Sequence, residues 1–228
     1  MKILALEFSS DQRGAAVWFD GQVRGEATEQ GTRHTRAFHL IETALSMAQI
    51  EREAIDVLCV GLGPGSYTGI RSALALVEGW ELARGTRVLG INSVEVLARQ
   101  AALARFAGTV NFVIDAQRGE FYLARYVFED PGARADQPLQ ITTRTEIQRR
   151  LAAGETVAGP DAGRWCPGAR DFFPSPGVLA VLAAARTDFV PAGDLAPVYL
   201  RETAFIKAPP PRAAPSQSNA SAIPDSGS

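Results

Sequence analysis

Apolar positions along the chain fall into short runs that alternate with longer periodic segments. Residues 3–8 and 15–19 are two such runs, and Asp20-Gly21 then supplies the dipeptide preferred in tight type I′ turns. Residues 22–26 continue as a third strand. The spacing predicts a helix over 33–49 with Thr32 as its N-cap. Residues 55–60 form a β-branched run that ends in Gly61-Leu62-Gly63-Pro64-Gly65-Ser66, a loop no helix could contain. A second helix follows over 68–84 with Gly85 as its C′ residue. A strand spans 87–91, and Asn92-Ser93 caps a third helix reaching about residue 105. The order β-β-β-α-β-α-β-α implies a mostly parallel sheet with an antiparallel hairpin at one side.

A second unit opens the same way, with an apolar run over 110–115, a turn at 116–119 and an aromatic-rich strand over 120–128. The two halves share negligible sequence identity, so duplication rests on this repeated plan alone. Beyond it the pattern predicts helices at 145–153 and 178–186, on either side of a Pro/Gly-rich stretch at 159–177. From residue 208 the chain is Pro, Ser and Ala with a single Ile, and it holds five of the 14 prolines. Such a segment has too little apolar surface to order itself, and it is expected to be a disordered tail. The expected division is 1–105, 106–207 and 208–228.

The first two helices carry more apolar surface than one core requires. On the first, Ala37, Phe38, Leu40, Ile41, Ala44, Leu45, Met47 and Ala48 sweep an arc of about 180°, against the ~100° stripe of an ordinary surface helix. On the second, Ala73, Leu74, Ala75, Leu76, Val77, Trp80, Leu82 and Ala83 leave hardly any polar face. The excess is expected to meet another chain, unless the second half of this one covers it. Leu40 and Met47 lie at one edge of the first arc, and Ile41 and Ala44 lie nearer its middle. Ala73, Val77 and Trp80 form an i, i+4, i+7 stripe joined by Leu74. These eight residues are the expected partner surface, and a charge at Leu40 or Ala73 is expected to abolish binding while leaving a folded monomer.

Composition narrows the classes. The 228 residues suggest one large or two small domains, 46% apolar and 21% charged. No apolar run approaches the ~20 residues of a membrane span, and Glu7 interrupts the start too soon for a leader core. Two cysteines, Cys59 and Cys166, exclude a disulfide scaffold and fit a reducing cytoplasm. A net charge of −2, evenly spread, shows no basic face for gripping nucleic acid unaided.

Candidate chemistry is sparse. His34 and His39 are five apart, about 140° around a helix, whereas a chelating pair needs three or four; no metal site is expected. Ser66 follows a strand, yet there is no Gly-x-Ser-x-Gly elbow and no histidine downstream, so no catalytic residue is assigned. The glycine loop, with Gly63, Pro64, Gly65, Ser66, Thr68, Gly69 and Arg71, sits where backbone N–H groups could cradle an anion. It lacks the P-loop Lys-Ser/Thr and dinucleotide spacing. Phosphate contact and a purely structural role, with Thr68 as cap, both remain open.

Residues 61–71 (Gly-Leu-Gly-Pro-Gly-Ser-Tyr-Thr-Gly-Ile-Arg), preceded by Ile55-Asp56 and followed by a Gly79-containing helix, resemble the signature of the bacterial TsaB (YeaZ) family. Asn92-Ser93-Val94-Glu95-Val96-Leu97-Ala98, the run Asp115 to Tyr122, and Pro197-Val198-Tyr199-Leu200-Arg201 are similar to its later motifs, in order. The resemblance covers residues 1–207, loosely between 128 and 195. It implies a two-lobed α/β fold of the actin/Hsp70/sugar-kinase (ASKHA) type, each lobe a mixed sheet flanked by helices. It also implies a non-catalytic role in forming threonylcarbamoyladenosine beside the tRNA anticodon. The partners implied are the related metal-bearing transferase TsaD, as a heterodimer, and the ATPase TsaE. ATP and metal would then sit on the partners, with none on this chain, and tRNA would be reached only through the complex. The resemblance leaves open whether the chain forms a homodimer when alone. Superfamily kinases hold phosphate with an Asp and a Gly-x-Thr turn in the first hairpin. Here residues 7–14 (Glu-Phe-Ser-Ser-Asp-Gln-Arg-Gly) lack the Gly-x-Thr and carry Arg13, which argues against ATP binding. The alternative is a stand-alone phosphotransferase or hydrolase of the same superfamily.

Overall fold

A computed structural model describes residues 1–31, 36–129 and 132–200 of the chain. β1 (Ile3–Glu7) is buried at all five positions and forms the centre of the first sheet. Around it lie β2 (Gln12–Phe19), β3 (Gln22–Gln30), β4 (Val57–Gly61) and β5 (Arg87–Ile91), in the order β3-β2-β1-β4-β5. The first three strands are antiparallel neighbours, and β4 and β5 run parallel to β1. The unbroken apolar run of β4 is what a parallel strand covered on both faces needs. Asp20 and Gly21, at φ 50° and 80°, close the β2–β3 hairpin as the dipeptide predicts.

The second sheet repeats the plan. β6 (Gly108–Asp115) is central, β7 (Glu120–Glu129) and β8 (Gly132–Ala135) follow antiparallel, and β10 (Thr156–Gly159) and β11 (Arg170–Asp171) run parallel. The order β11-β10-β6-β7-β8 is that of the first sheet, so the duplication holds at the level of topology. β9 (Gln140–Thr143) pairs with the other end of β7. The sequence pattern missed β8, β9, β10 and β11. β8 is exposed at every residue and so leaves no apolar alternation to read.

Among the described residues six α-helices complete the fold: α1 (Ala37–Ala48), α2 (Tyr67–Arg84), α3 (Ser93–Leu103), α4 (Arg144–Ala152), α5 (Ala162–Trp165) and α6 (Pro176–Ala184). The expected Thr32 cap lies outside the described residues. α2 is capped by Ser66, whose Oγ accepts from the Gly69 amide at 3.3 Å; Thr68, the expected cap, is already inside the helix. Asn92 caps α3 through the Val94 amide at 2.9 Å, and Gly85 ends α2 at φ 66°.

α1 and α2 cover one face of the first sheet. Its other face is covered by α6, with Leu179, Ala180 and Ala183 against Ile3, Ala5, Ala16, Val57 and Cys59. α3 instead lays Val94, Leu97, Ala98 and Ala101 on Phe112, Ile114, Tyr122 and Ala124 of the second sheet. The expected division at 105/106 is therefore a division of the chain and not of space. Each buried sheet needs layers on both faces, and each half lends the other a helix. Residues 190–192 also return to the first lobe, through Val190 N to Val88 O at 3.0 Å and Ala192 N to Glu81 Oε2 at 2.9 Å. The expected tail at 208–228 lies outside the described residues.

Candidate functional site: a closed glycine loop and an open helix face

At the end of β1 the Glu7 side chain is wholly enclosed, beneath Gly61. A Cβ on Gly61 would strike its carboxylate. Glu7 Oε1 accepts from the Ser9 amide and Oε2 from Ser93 Oγ, both at 2.9 Å. Ser93 Oγ in turn accepts from the Gly63 amide at 3.1 Å. Burial pushes the Glu7 carboxyl up from its ordinary range, and the Ser9 and Ser93 hydrogen bonds offset part of this. The Ser66 amide donates to Ser9 O at 2.7 Å, while Cβ atoms on Gly65 and Gly69 would meet the Ser9 and Phe8 carbonyl oxygens. The glycines thus let the loop lie directly on the β1–β2 turn. The amides of Gly63, Ser66 and Gly69 are already engaged within the protein, and Pro64 has none to offer. Thr68 is exposed, and Arg71 extends over the Tyr67 ring, 4.2 Å from its centroid.

Beside this loop a cleft of about 390 Å³ opens between the lobes, lined by Ser10, Asp11, Tyr67, Asp115, Asp161 and Arg164 among others. Three carboxylates face one guanidinium. The Asp161 carboxyl is pushed up by burial first and then by the charges of Asp11 and Asp171, with Arg164 opposing. The Asp115 oxygens accept from the Gln117 amide at 2.8 Å and its Nε2 at 3.3 Å. A polyphosphate needs donors and positive charge, and these residues do not fit one. Among the described residues no group of three or more His, Cys, Asp or Glu could hold a metal ion. His39 is exposed on α1, and His34 lies outside the described residues.

The eight residues expected at a partner surface divide sharply. Leu40 (3% exposed), Ile41, Ala44, Ala73 and Val77 belong to the lobe's own core, with Leu6, Phe8, Ala15, Val17, Leu58 and Val60. Leu40 and Ala73 therefore do not front a partner. On α1 the reason is Gly25 on β3: a Cβ there would collide with the Ala44 carbonyl, so α1 sinks onto the strand. Met47 is exposed, and Leu74 and Trp80 are half-buried.

What α1 and α2 leave uncovered is a different set. Phe38 is 72% and Leu82 89% exposed, and Ala75, Gly79 and Ala83 are exposed beside Leu82. At ~100° per residue Ala75, Gly79 and Leu82 fall within about 60° of one another, opposite Ala73. A Cβ on Gly79 would meet nothing, so another helix can approach closely. A shallow groove of about 540 Å³ between the two helices is lined by Ala37, Phe38, His39, Ser72, Ala75 and Leu76, with Arg36 at its edge. Assigning the Ala73–Val77 stripe to the core would have identified this opposite face from periodicity alone.

Two sheets of one strand order, linked by exchanged helices around a cleft, define a two-lobed α/β protein of the actin/Hsp70/sugar-kinase class. The family model "TsaD: tRNA N6-adenosine threonylcarbamoyltransferase" matches residues 28–144, about half of the chain. The "tRNA threonylcarbamoyladenosine biosynthesis protein TsaB" of Escherichia coli is 27% identical over 223 residues, 88% of this chain and 95% of that protein. The structure of YeaZ from Pseudomonas aeruginosa superposes with a TM-score of 0.71 at 26% identity, over 87% of this chain and 99% of that one. An uncharacterized protein of Mycobacterium tuberculosis is 31% identical over 163 residues, 71% of this chain and 69% of its own length. The chain belongs to the TsaB (YeaZ) family, one that shares the TsaD family model.

Proposed function

We propose that this chain is a non-catalytic subunit of the machinery that forms threonylcarbamoyladenosine next to the tRNA anticodon, and that it recruits a TsaD-type transferase through the outer face of α1 and α2. The uncovered apolar face formed by Phe38, Ala75, Gly79 and Leu82 carries this reading. Apolar residues so exposed mark a surface completed by another protein. A related transferase would present a similar helix pair, and two such pairs pack as a four-helix layer. The same face serves a homodimer when the transferase is absent. ATP and metal belong to the partner subunits, TsaE joins the assembled pair, and tRNA is met only there, in the cytoplasm. No helix among the described residues is long and apolar enough to cross a membrane. A stand-alone phosphotransferase is disfavoured by the engaged loop amides and the acidic cleft.

Reconstitution with TsaD, TsaE, tRNA, ATP and threonylcarbamoyl-adenylate as the group donor tests the proposal. Modification is expected only when all three proteins are present, and the chain alone is expected to turn over nothing. ATP hydrolysis by the chain alone, abolished by substituting one of its own residues, would overturn it.

A further inference from the structure

The motif ending in Pro197-Val198-Tyr199-Leu200 is not explained by the helix face or the cleft. Its residues lie against both lobes. The Val198 amide donates to Leu62 O at 2.9 Å, which fastens the segment to the glycine loop. The Tyr199 ring stacks on Tyr67, the first residue of α2, with centroids 5.5 Å apart and planes 26° apart. The Arg71 guanidinium also lies against the Tyr67 ring, 4.2 Å from its centroid. On the opposite lobe the Leu200 backbone lies beside the hydroxyl of Tyr122, a buried residue of β7.

We propose that residues 197–200 act as a strap that sets the first turn of α2, and with it the lip of the cleft, by stacking Tyr199 on Tyr67 beside Arg71 and resting on Tyr122. α2 begins straight after a glycine-rich loop, and its N-cap contact from Ser66 is long, at 3.3 Å. The aromatic stack on Tyr67 adds a constraint at the exposed start of its first turn. Tyr199 and Arg71 are positioning residues, since the stack acts through Tyr67. The consequence for partner recruitment rests on the function proposed above, because the same helix carries Ala75, Gly79 and Leu82. The strap itself is a property of the free chain.

Hydrogen exchange on the full-length free chain tests it, so a failure of the partner reading leaves the result standing. Tyr199→Ala is expected to speed exchange of the Ile70 and Arg71 amides about tenfold or more, with the Leu4 and Leu58 amides of β1 and β4 unchanged. Tyr199→Phe keeps the stack and is expected to restore exchange to within about twofold of the parent chain. Unchanged exchange at residues 70 and 71 in the alanine variant would overturn the strap. So would an equal rise at Leu4 and Leu58, which would mark an ordinary core position, or a phenylalanine variant as fast as the alanine one.

Discussion

The two ends of α2's setting resemble each other as sequence and differ as chemistry. At its N-terminus the glycine loop has the composition of an anion site, yet Ser9, Ser93 and Ser66 accept from the amides of Ser66, Gly63 and Gly69, and the cleft beside it carries three carboxylates. Along its outer face α2 presents Ala75, Gly79 and Leu82, apolar positions flanked by the exposed Arg71 and Glu78, and nothing among the described residues covers the apolar three. Polar groups already paired within a fold have little left to offer a ligand, whereas apolar surface left in water favours whatever removes it. Function in this lobe is therefore sought on the plain face.

Substitutions that place charge on opposite sides of the same helices probe this contrast most strongly. Leu40→Asp and Ala73→Asp bury an unpaired charge in the first core and are expected to cost at least ~3 kcal/mol, seen as loss of the folded circular dichroism signal. Folded variants that fail only in partner binding would return these two positions to the interface.

A somewhat smaller loss tests the closed loop. Gly65, at φ 150°, faces the Ser9 carbonyl, so Gly65→Ala adds a clash to backbone strain. Urea denaturation is expected to show a loss of ~2–4 kcal/mol. An unaffected midpoint would mean the loop has room, and the anion reading would regain its footing.

The smallest effect is the titration of Glu7. Its carboxyl is held above the ordinary value by burial, so the folded state binds the proton more tightly than the unfolded chain. The corresponding stability is fully present below about pH 4.5, the unfolded value, and is lost as pH rises through the raised folded value. Thermal midpoints measured upward from pH 5 should fall less steeply for Glu7→Gln than for the parent chain. Identical slopes would assign the pH dependence to other groups.

Much of the first lobe was legible because its signals are local: the Asp20-Gly21 turn, the Asn92 cap and the alternation of short apolar runs with helical periods. The second lobe was less so, since β8 lies exposed and β9 and β10 are four residues each. The exchange of α3 and α6 has no local signature at all. For the helix face, periodicity gave the width of the apolar arc but not its neighbour. That depended on Gly25, a residue on another strand whose missing side chain lets α1 settle. Likewise the glycine loop was readable as a loop, while its role depended on Glu7 and Ser93, 86 residues apart.

Recruitment of the related transferase by the outer face of α2 is tested by calorimetric titration of TsaD into the parent chain and into Leu82→Asp. Leu82 is 89% exposed, so the variant is expected to keep its thermal midpoint while binding weakens about 100-fold, the scale of an interface hot spot. Unchanged affinity in a folded Leu82→Asp chain would contradict the account and place the interface elsewhere.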